Sequence, residues 1–284
     1  MKNITFSSAF KQKYWQESKY VLKHLRRYNN GKDVNWQDFK KLFLINLVQY
    51  LQGVVSPNSA RLYCAYIKSL LNDYNEEIEL PCKEYKDILK LKIVGSLHIH
   101  LTDDEVEQLI NYNPADEQEH TIRNQFVLSC LTGMRHSDVV HLDRSNIVGD
   151  EIVYCAVKTK NIIRTPTCSI IEGYIAEGKK HIYSDMKFNN TIRTICQNIG
   201  IDSVVKVVKG GKTVTGEKYE FISSHTARRS FATNLYLQTK DILLVSRLMG
   251  HTNIKTTQGY LCCDYSTNKS VKAYFERYNI KQAQ

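Results

Sequence analysis

Between residues 225 and 260 the sequence gathers the side chains that phosphate chemistry needs. His225-Thr-Ala-Arg228 comes first, Gly250-His251 follows an apolar stretch, and Thr257-Gln-Gly-Tyr260 closes the block, with no carboxylate cluster among them. Attack on a phosphodiester places extra negative charge on its non-bridging oxygens, and fixed cations or hydrogen-bond donors must meet it there. Arginine suits that task, because its planar fork matches phosphate oxygens and keeps its charge. A tyrosine hydroxyl can be the nucleophile, although a pKa near ~10 means that it needs help in losing its proton. The leaving oxygen needs an acid, which histidine or lysine can supply. The block therefore reads as a phosphate site that works without a metal ion. Each piece is common by itself, and Tyr260 is one of 18 tyrosines, so the ordered combination carries the reading.

These side chains need elements to hold them. His225 and Arg228 are three residues apart and share one face of a helix that Ser223 or Ser224 can cap. Gly250 stops the preceding helix, and Gly259 offers backbone freedom directly before Tyr260. Helices are expected over 188–199 and 225–237, and a helix, a turn at Gly133 and a second helix over Arg123–Leu142. Glu151–Thr167 alternates in strand fashion, with Ile152, Tyr154 and Ala156 on one face, and folds back as a hairpin near Thr159-Lys160-Asn161. Residues 203–222 form a loop or a second hairpin around Lys209-Gly210-Gly211-Lys212. Residues 1–95 read as helical. Phe39, Leu42, Phe43, Leu47, Tyr50 and Leu51 recur at helical spacing, Ser56-Pro57 starts a helix, and Leu62, Tyr66, Leu70 and Tyr74 carry its apolar stripe. Arg61 and Lys68 lie one heptad apart on that helix and can meet phosphates. Lys90–Leu101 is the linker, and Thr102-Asp-Asp-Glu105 is a capping box that opens a fresh helix. The expected fold is mainly α with a small β-sheet (α+β), in two domains over 1–97 and 98–284.

The net charge of +10 favours a polyanionic partner. It is concentrated at the N-terminal side, where residues 1–97 carry 16 Lys and Arg against 9 Asp and Glu. The eight cysteines form no C-x-x-C pair, and their apolar neighbours suggest free thiols in a reducing, cytoplasmic setting. His98 and His100 lack further ligands nearby, so no metal site is expected. Leu42–Val55 is interrupted by polar residues and is too short for a membrane span.

Two further stretches complete the block: Leu131-Thr-Gly133-Met-Arg135-His-Ser137-Asp138-Val-Val-His-Leu142, and Val157-Lys158-Thr159 on the hairpin. With His225-Thr-Ala-Arg228 and Leu248-Met-Gly250-His251 through Tyr260, they make residues 98–265 resemble the catalytic domain of the tyrosine recombinases, the phage integrase family. The resemblance implies a mixed α/β catalytic domain with a C-terminal tail helix, preceded by a helical core-binding (SAM-like) domain that grips DNA. It implies Arg135, Lys158, His225, Arg228, His251 and Tyr260 as catalytic residues. Asp138 would support the basic groups, Lys160 would be the second choice for the hairpin lysine, and Arg229 a neighbouring DNA contact. Tyr260 would attack the scissile phosphate and form a 3′-phosphotyrosyl link, with no cofactor or metal. The implied partners are duplex DNA with specific recombination sites, a homotetramer on that DNA passing through a Holliday junction, and accessory DNA-bending proteins. The tail, with Val271, Tyr274, Phe275 and Tyr278 at near-helical spacing, would dock on its own domain or on a neighbour. A type IB topoisomerase shares the chemistry, and a regulator without catalysis could share the fold. The filled catalytic positions and the integrase-like boxes favour a recombinase acting near the nucleoid.

Overall fold

The computed structural model describes residues 4–177 and 181–262 of the 284. The expected tail helix lies outside the described residues. The chain forms two compact units: Met1–Ser96 with Val208–Val214, and Leu97–Val207 with Thr215–Gln284.

The first unit is helical: α1 (Phe6–Lys13), α2 (Trp15–Tyr28), α3 (Lys41–Val54), α4 (Pro57–Tyr74) and the single turn α5 (Tyr85–Ile88). Ser56 caps α4 by accepting from the Ser59 N–H at 3.2 Å, with Pro57 at the first helical position. Phe6 anchors the core and meets Phe39 at 4.7 Å and the edge of Trp36 at 5.2 Å between ring centroids. Two apolar residues assigned to the core face outward instead. On α3 the buried positions are Leu44, Leu47 and Leu51, so Leu42 points to the opposite side and is 70% exposed. On α4 they are Ala60, Cys64, Ile67, Leu70 and Leu71, which leaves Leu62 exposed. At about 100° per residue, a position two away from a buried one falls outside the core-facing arc.

The second unit opens with α6 (Asp103–Asn111) and α7 (Glu117–Thr132). The capping box forms as expected: Thr102 accepts from the Glu105 N–H, and Glu105 accepts from the Thr102 N–H at 2.7 Å. Helix α7 is buried almost throughout its length, and Arg123 uses its guanidinium to hold the C-terminal carbonyls of α6 at Leu109 and Ile110. Gly133 (φ +69°) ends α7 and leads to the short α8 (His136–Val139). Strands β1 (Ile147–Val148), β2 (Glu151–Cys155) and β3 (Ile162–Pro166) form an antiparallel sheet in that order, with Tyr154 opposite Ile163. Ile152, Tyr154 and Ala156 face the core as the alternation requires. The two-residue β1 is too short to leave a pattern in the sequence. Next come α9 (Ser169–Glu177) and α10 (Asp185–Asn198), then β4 (Val204–Lys209) and β5 (Lys212–Glu217), which form a hairpin across Gly210 and Gly211, both at positive φ, with its Val208–Val214 tip grouped in the first unit. Among the described residues the last helices are α11 (Ser224–Thr239), α12 (Ile242–Leu248) and α13 (Ile254–Gln258).

Candidate active site

Arg228 is the hub of the second unit. It lies on α11, whose N-cap is Ser223, and is only 1% exposed. Its Nη1 donates to the Gly133 carbonyl, and its Nη2 donates to the Met249 carbonyl at 3.2 Å and to His251 Nε2 at 3.1 Å. One guanidinium thus joins the end of α7 to the end of α12. Both meeting points are shaped by glycine. Gly133 and Gly250 have φ +69° and +65°, and a Cβ there would collide with the Phe231 ring and with Ile163 Cδ1 respectively.

The Arg228 contact fixes the chemistry of His251. An arginine only donates, so Nε2 must present its lone pair, and the ring proton sits on Nδ1, which donates to Thr257 Oγ1 at 3.0 Å. The ring is therefore neutral. Burial, followed by the charges of Arg228 and Arg135, pushes its pKa down to about 4. The same burial and the nearby Arg135 lower the pKa of Arg228, while Tyr260 and Tyr154 favour its charge.

Arg135 precedes α8 and turns its side chain toward Asp138, but Nη1 stays 4.0 Å from Oδ2, beyond hydrogen-bond reach. Arg135 Nη1, Asp138 Oδ2 and Arg228 Nε are all buried without a hydrogen-bond partner. Two cationic groups thus carry unused N–H donors, and Arg135 lies close enough for its charge to lower the pKa of Arg228. The other Asp138 oxygen accepts from the Val157 N–H at 2.9 Å, which ties the Arg135 turn to the β2–β3 connection. Tyr154, on the inner face of β2, has its pKa raised to about 12 by burial and by Asp138, with Arg228 and Arg135 acting in the opposite sense. The strand alternation places Tyr154 inward, but no motif in the sequence marks it as part of the site. The carbonyls of Gly133 and Met249 and the hydroxyl of Thr257 were likewise not foreseen.

The other expected residues are placed as follows. Lys158 and Lys160 are exposed in the turn between β2 and β3, not on a strand. Lys160 is left-handed (φ 57°), with its N–H bonded to the Ala156 carbonyl at 2.8 Å, which closes the turn that the sequence placed near Thr159-Lys160-Asn161. His225 is exposed on the first turn of α11, and partial burial with Arg229 and Arg228 lowers its pKa. Tyr260 follows α13. Its ring centroid is 5.2 Å from that of His251, 5.4 Å from Arg228 Cζ and 5.2 Å from Arg229 Cζ. Gly259 has φ −68° in the ordinary helical region, so the special backbone freedom expected there is not used. Arg229 donates to the Gly259 carbonyl at 2.8 Å.

Arg61 and Lys68 belong to the first unit, half-buried on α4, and Arg61 Nε is buried without a partner. A more open basic surface lies on α1 and α2, where Lys11, Lys19, Lys23, Arg26 and Arg27 surround Trp15, 77% exposed, and Tyr20. Helical spacing of the α2 cations beside an unburied tryptophan was the available signal for it. Among the described residues, no three of His, Cys, Asp or Glu gather as a metal site, and no helix is long and apolar enough to cross a membrane.

This fold and this cluster define a class. The sequence profile of the Phage integrase family matches residues 100–266. The chain belongs to that family. It is 30% identical over 187 residues to the tyrosine recombinase XerD of Halalkalibacterium halodurans, a match that covers 62% of this chain and 60% of that relative. The fold is that of the Tn1549 transposon integrase solved on circular-intermediate DNA (TM-score 0.66, 12% identity, 96% of this chain and 99% of that one). It is likewise that of the lambda integrase solved as a tetramer bound to a Holliday junction (TM-score 0.62, 14% identity, 91% and 77%).

Proposed function

We propose that this protein is a site-specific DNA recombinase that cuts and rejoins duplex DNA through a covalent 3′-phosphotyrosyl intermediate. The observation that carries the reading is the pair Arg135, partly exposed, and Arg228, fully buried, each with a buried nitrogen that donates to no protein atom. Like charges held together with unused donors fit an anion that takes both, and a phosphodiester offers two non-bridging oxygens. Arg135 and Arg228 hold the scissile phosphate, and Asp138 steadies Arg135 and the turn that carries Lys158. His251 enters as a neutral ring that aims Arg228.

Tyr260 attacks phosphorus, and its phenolic proton passes to a base, the role we give to the His225 imidazole. The bond from phosphorus to the 5′-oxygen breaks, and Lys158 protonates that oxygen. One phosphate ester is exchanged for another, so a 5′-hydroxyl from a partner strand can reverse the step without ATP, cofactor or metal.

Residues 98–284 form the catalytic domain, and residues 1–97 form the core-binding domain that grips the duplex. Its basic α1–α2 surface and Arg61 and Lys68 meet DNA phosphates, as does Lys160 on the catalytic domain. The active assembly is a homotetramer on two specific sites, in keeping with the lambda integrase tetramer on a Holliday junction. Accessory DNA-bending proteins assist, and the protein works at the nucleoid in the cytoplasm.

The test uses duplexes selected for tight binding from a random-sequence pool and nicked beside the cleavage point, incubated with the protein in EDTA. The expected result is a denaturation-resistant protein–DNA band, and a four-way junction when two intact duplexes are supplied. Absence of the band overturns the proposal. A band with relaxation of supercoils but no junction points to a topoisomerase instead.

A further inference from the structure

Tyr260 is held from both sides by one helix. On its N-terminal side, Arg229 Nη1 donates to the Gly259 carbonyl at 2.8 Å. On its C-terminal side, the Cys262 N–H donates to Thr233 Oγ1 at 3.1 Å. Arg229 and Thr233 are four residues apart on α11 and so share its face. Gly259 closes α13, and its carbonyl is one that a helix end leaves without an internal acceptor role to fill. Thr233 is fully buried, so its hydroxyl is fixed in place rather than shared with solvent. Between the two anchors Tyr260 packs against the small core cluster of Ala232, Val245 and Met249, and its ring lies beside both Arg228 and Arg229. The helix that carries the phosphate-binding Arg228 thereby also carries the two backbone anchors of the nucleophile.

We propose that Arg229 and Thr233 are positioning residues, a two-point latch that fixes the Tyr260 backbone on α11 and sets the distance from its hydroxyl to the phosphate held by Arg228 of the same chain. The inference rests on Tyr260 being the nucleophile. Neither latch residue touches the reacting atoms. Arg229 therefore acts inside the protein rather than as a DNA contact beside Arg228. The rate of the chemical step depends steeply on such placement, because a shift of about 1 Å in a reacting group can cost roughly a hundredfold.

Three variants separate the roles. R229M removes the donor and keeps the apolar stem, R229K keeps the charge with a single shorter-reaching donor group, and T233V removes only the hydroxyl acceptor. Two readings are taken on the full chain. The first is amide hydrogen exchange over residues 257–262 in the free protein. The second is single-turnover cleavage of the nicked duplex at saturating DNA, with the binding constant measured across a salt series. For R229M the latch requires faster exchange at Tyr260 and Cys262, cleavage slowed by about tenfold or more, partial recovery in R229K, and DNA affinity and salt slope close to wild type. T233V must raise exchange at Cys262 and slow cleavage by a smaller factor, and it carries the test if R229M does not fold. A phosphate contact would show the opposite pattern. Weaker binding with a shallower salt slope, normal exchange and a wild-type rate at saturating DNA would overturn the latch. Should wild type form no covalent complex, the nucleophile reading falls, and the exchange measurement still decides whether Arg229 and Thr233 hold the segment.

Discussion

Acidification tests the Arg228–His251 contact in isolation. The ring has a pKa of about 4 in the folded protein, against roughly 6.5 for an unperturbed histidine. Above about pH 6.5 the ring is neutral in both folded and unfolded chains, and the contact costs nothing. As pH falls from there toward 4, the unfolded chain takes up a proton that the folded site refuses, and stability is lost progressively across that window. Roughly 2.5 units at about 1.36 kcal/mol each gives about 3 kcal/mol, and the partial exposure of the ring lowers this to about 2 kcal/mol. The assay pairs nitrogen NMR of the imidazole with urea unfolding of wild type and His251→Gln from about pH 7.5 to 4.5. Burial also lowers the pKa of His98, His100, His136 and His225, but those residues are common to both proteins, so the difference between the curves isolates His251. The expected result is a neutral ring with its proton on Nδ1 and a wild-type curve that falls more steeply on the acid side. An Nε2-protonated ring near neutral pH, or parallel curves, would refute the tautomer argument.

Three other outcomes follow from the same geometry. Gly250→Ala combines a left-handed backbone with a collision against Ile163 and should destabilise by about 1–3 kcal/mol, read as a shift in thermal midpoint; Gly133→Ala should behave alike through Phe231. Asp138→Ala removes the acceptor for the Val157 N–H and should cost about 1–3 kcal/mol, with faster amide exchange in the β2–β3 turn as the specific signature. Lys158→Ala should slow cleavage of an ordinary duplex by roughly a hundredfold or more but leave a duplex with sulfur as the bridging 5′ leaving atom nearly unaffected, since a thiolate needs no acid. Lys160→Ala should cleave both substrates near the wild-type rate, and the reverse result would exchange the two lysines.

What the sequence disclosed, and what it hid, follow from the kind of atom involved. The boxes around Arg135, Arg228, His251 and Tyr260 were legible because each pairs a chemically distinctive side chain with a glycine, a cap or a helical spacing that survives in the one-dimensional text. The acceptors that organise Arg228 were not, since the Gly133 and Met249 carbonyls are backbone atoms that every residue carries. Lys158 and Lys160 were readable as hairpin residues, but the left-handed backbone at Lys160 that shapes their turn is announced by no letter. Leu42 and Leu62 show a similar limit: apolar residues were gathered over a wider arc than one helix face can bury. Helical organisation on either side of the 90–101 linker was readable from the apolar spacing, while the grouping of Val208–Val214 with the first unit depends on long-range contacts that leave no local trace.

The central claim is that Tyr260 is the atom donor to phosphorus in a site built on Arg135 and Arg228. The most direct measurement traps the covalent complex on a nicked duplex, digests protein and DNA, and sequences the adducted peptide by mass spectrometry. The account requires a nucleotide joined through its 3′-phosphate to Tyr260, within the peptide Thr256–Lys269, and no adduct from Tyr260→Phe. An adduct on another tyrosine, a link through the 5′-phosphate, or an undiminished adduct in Tyr260→Phe would contradict it.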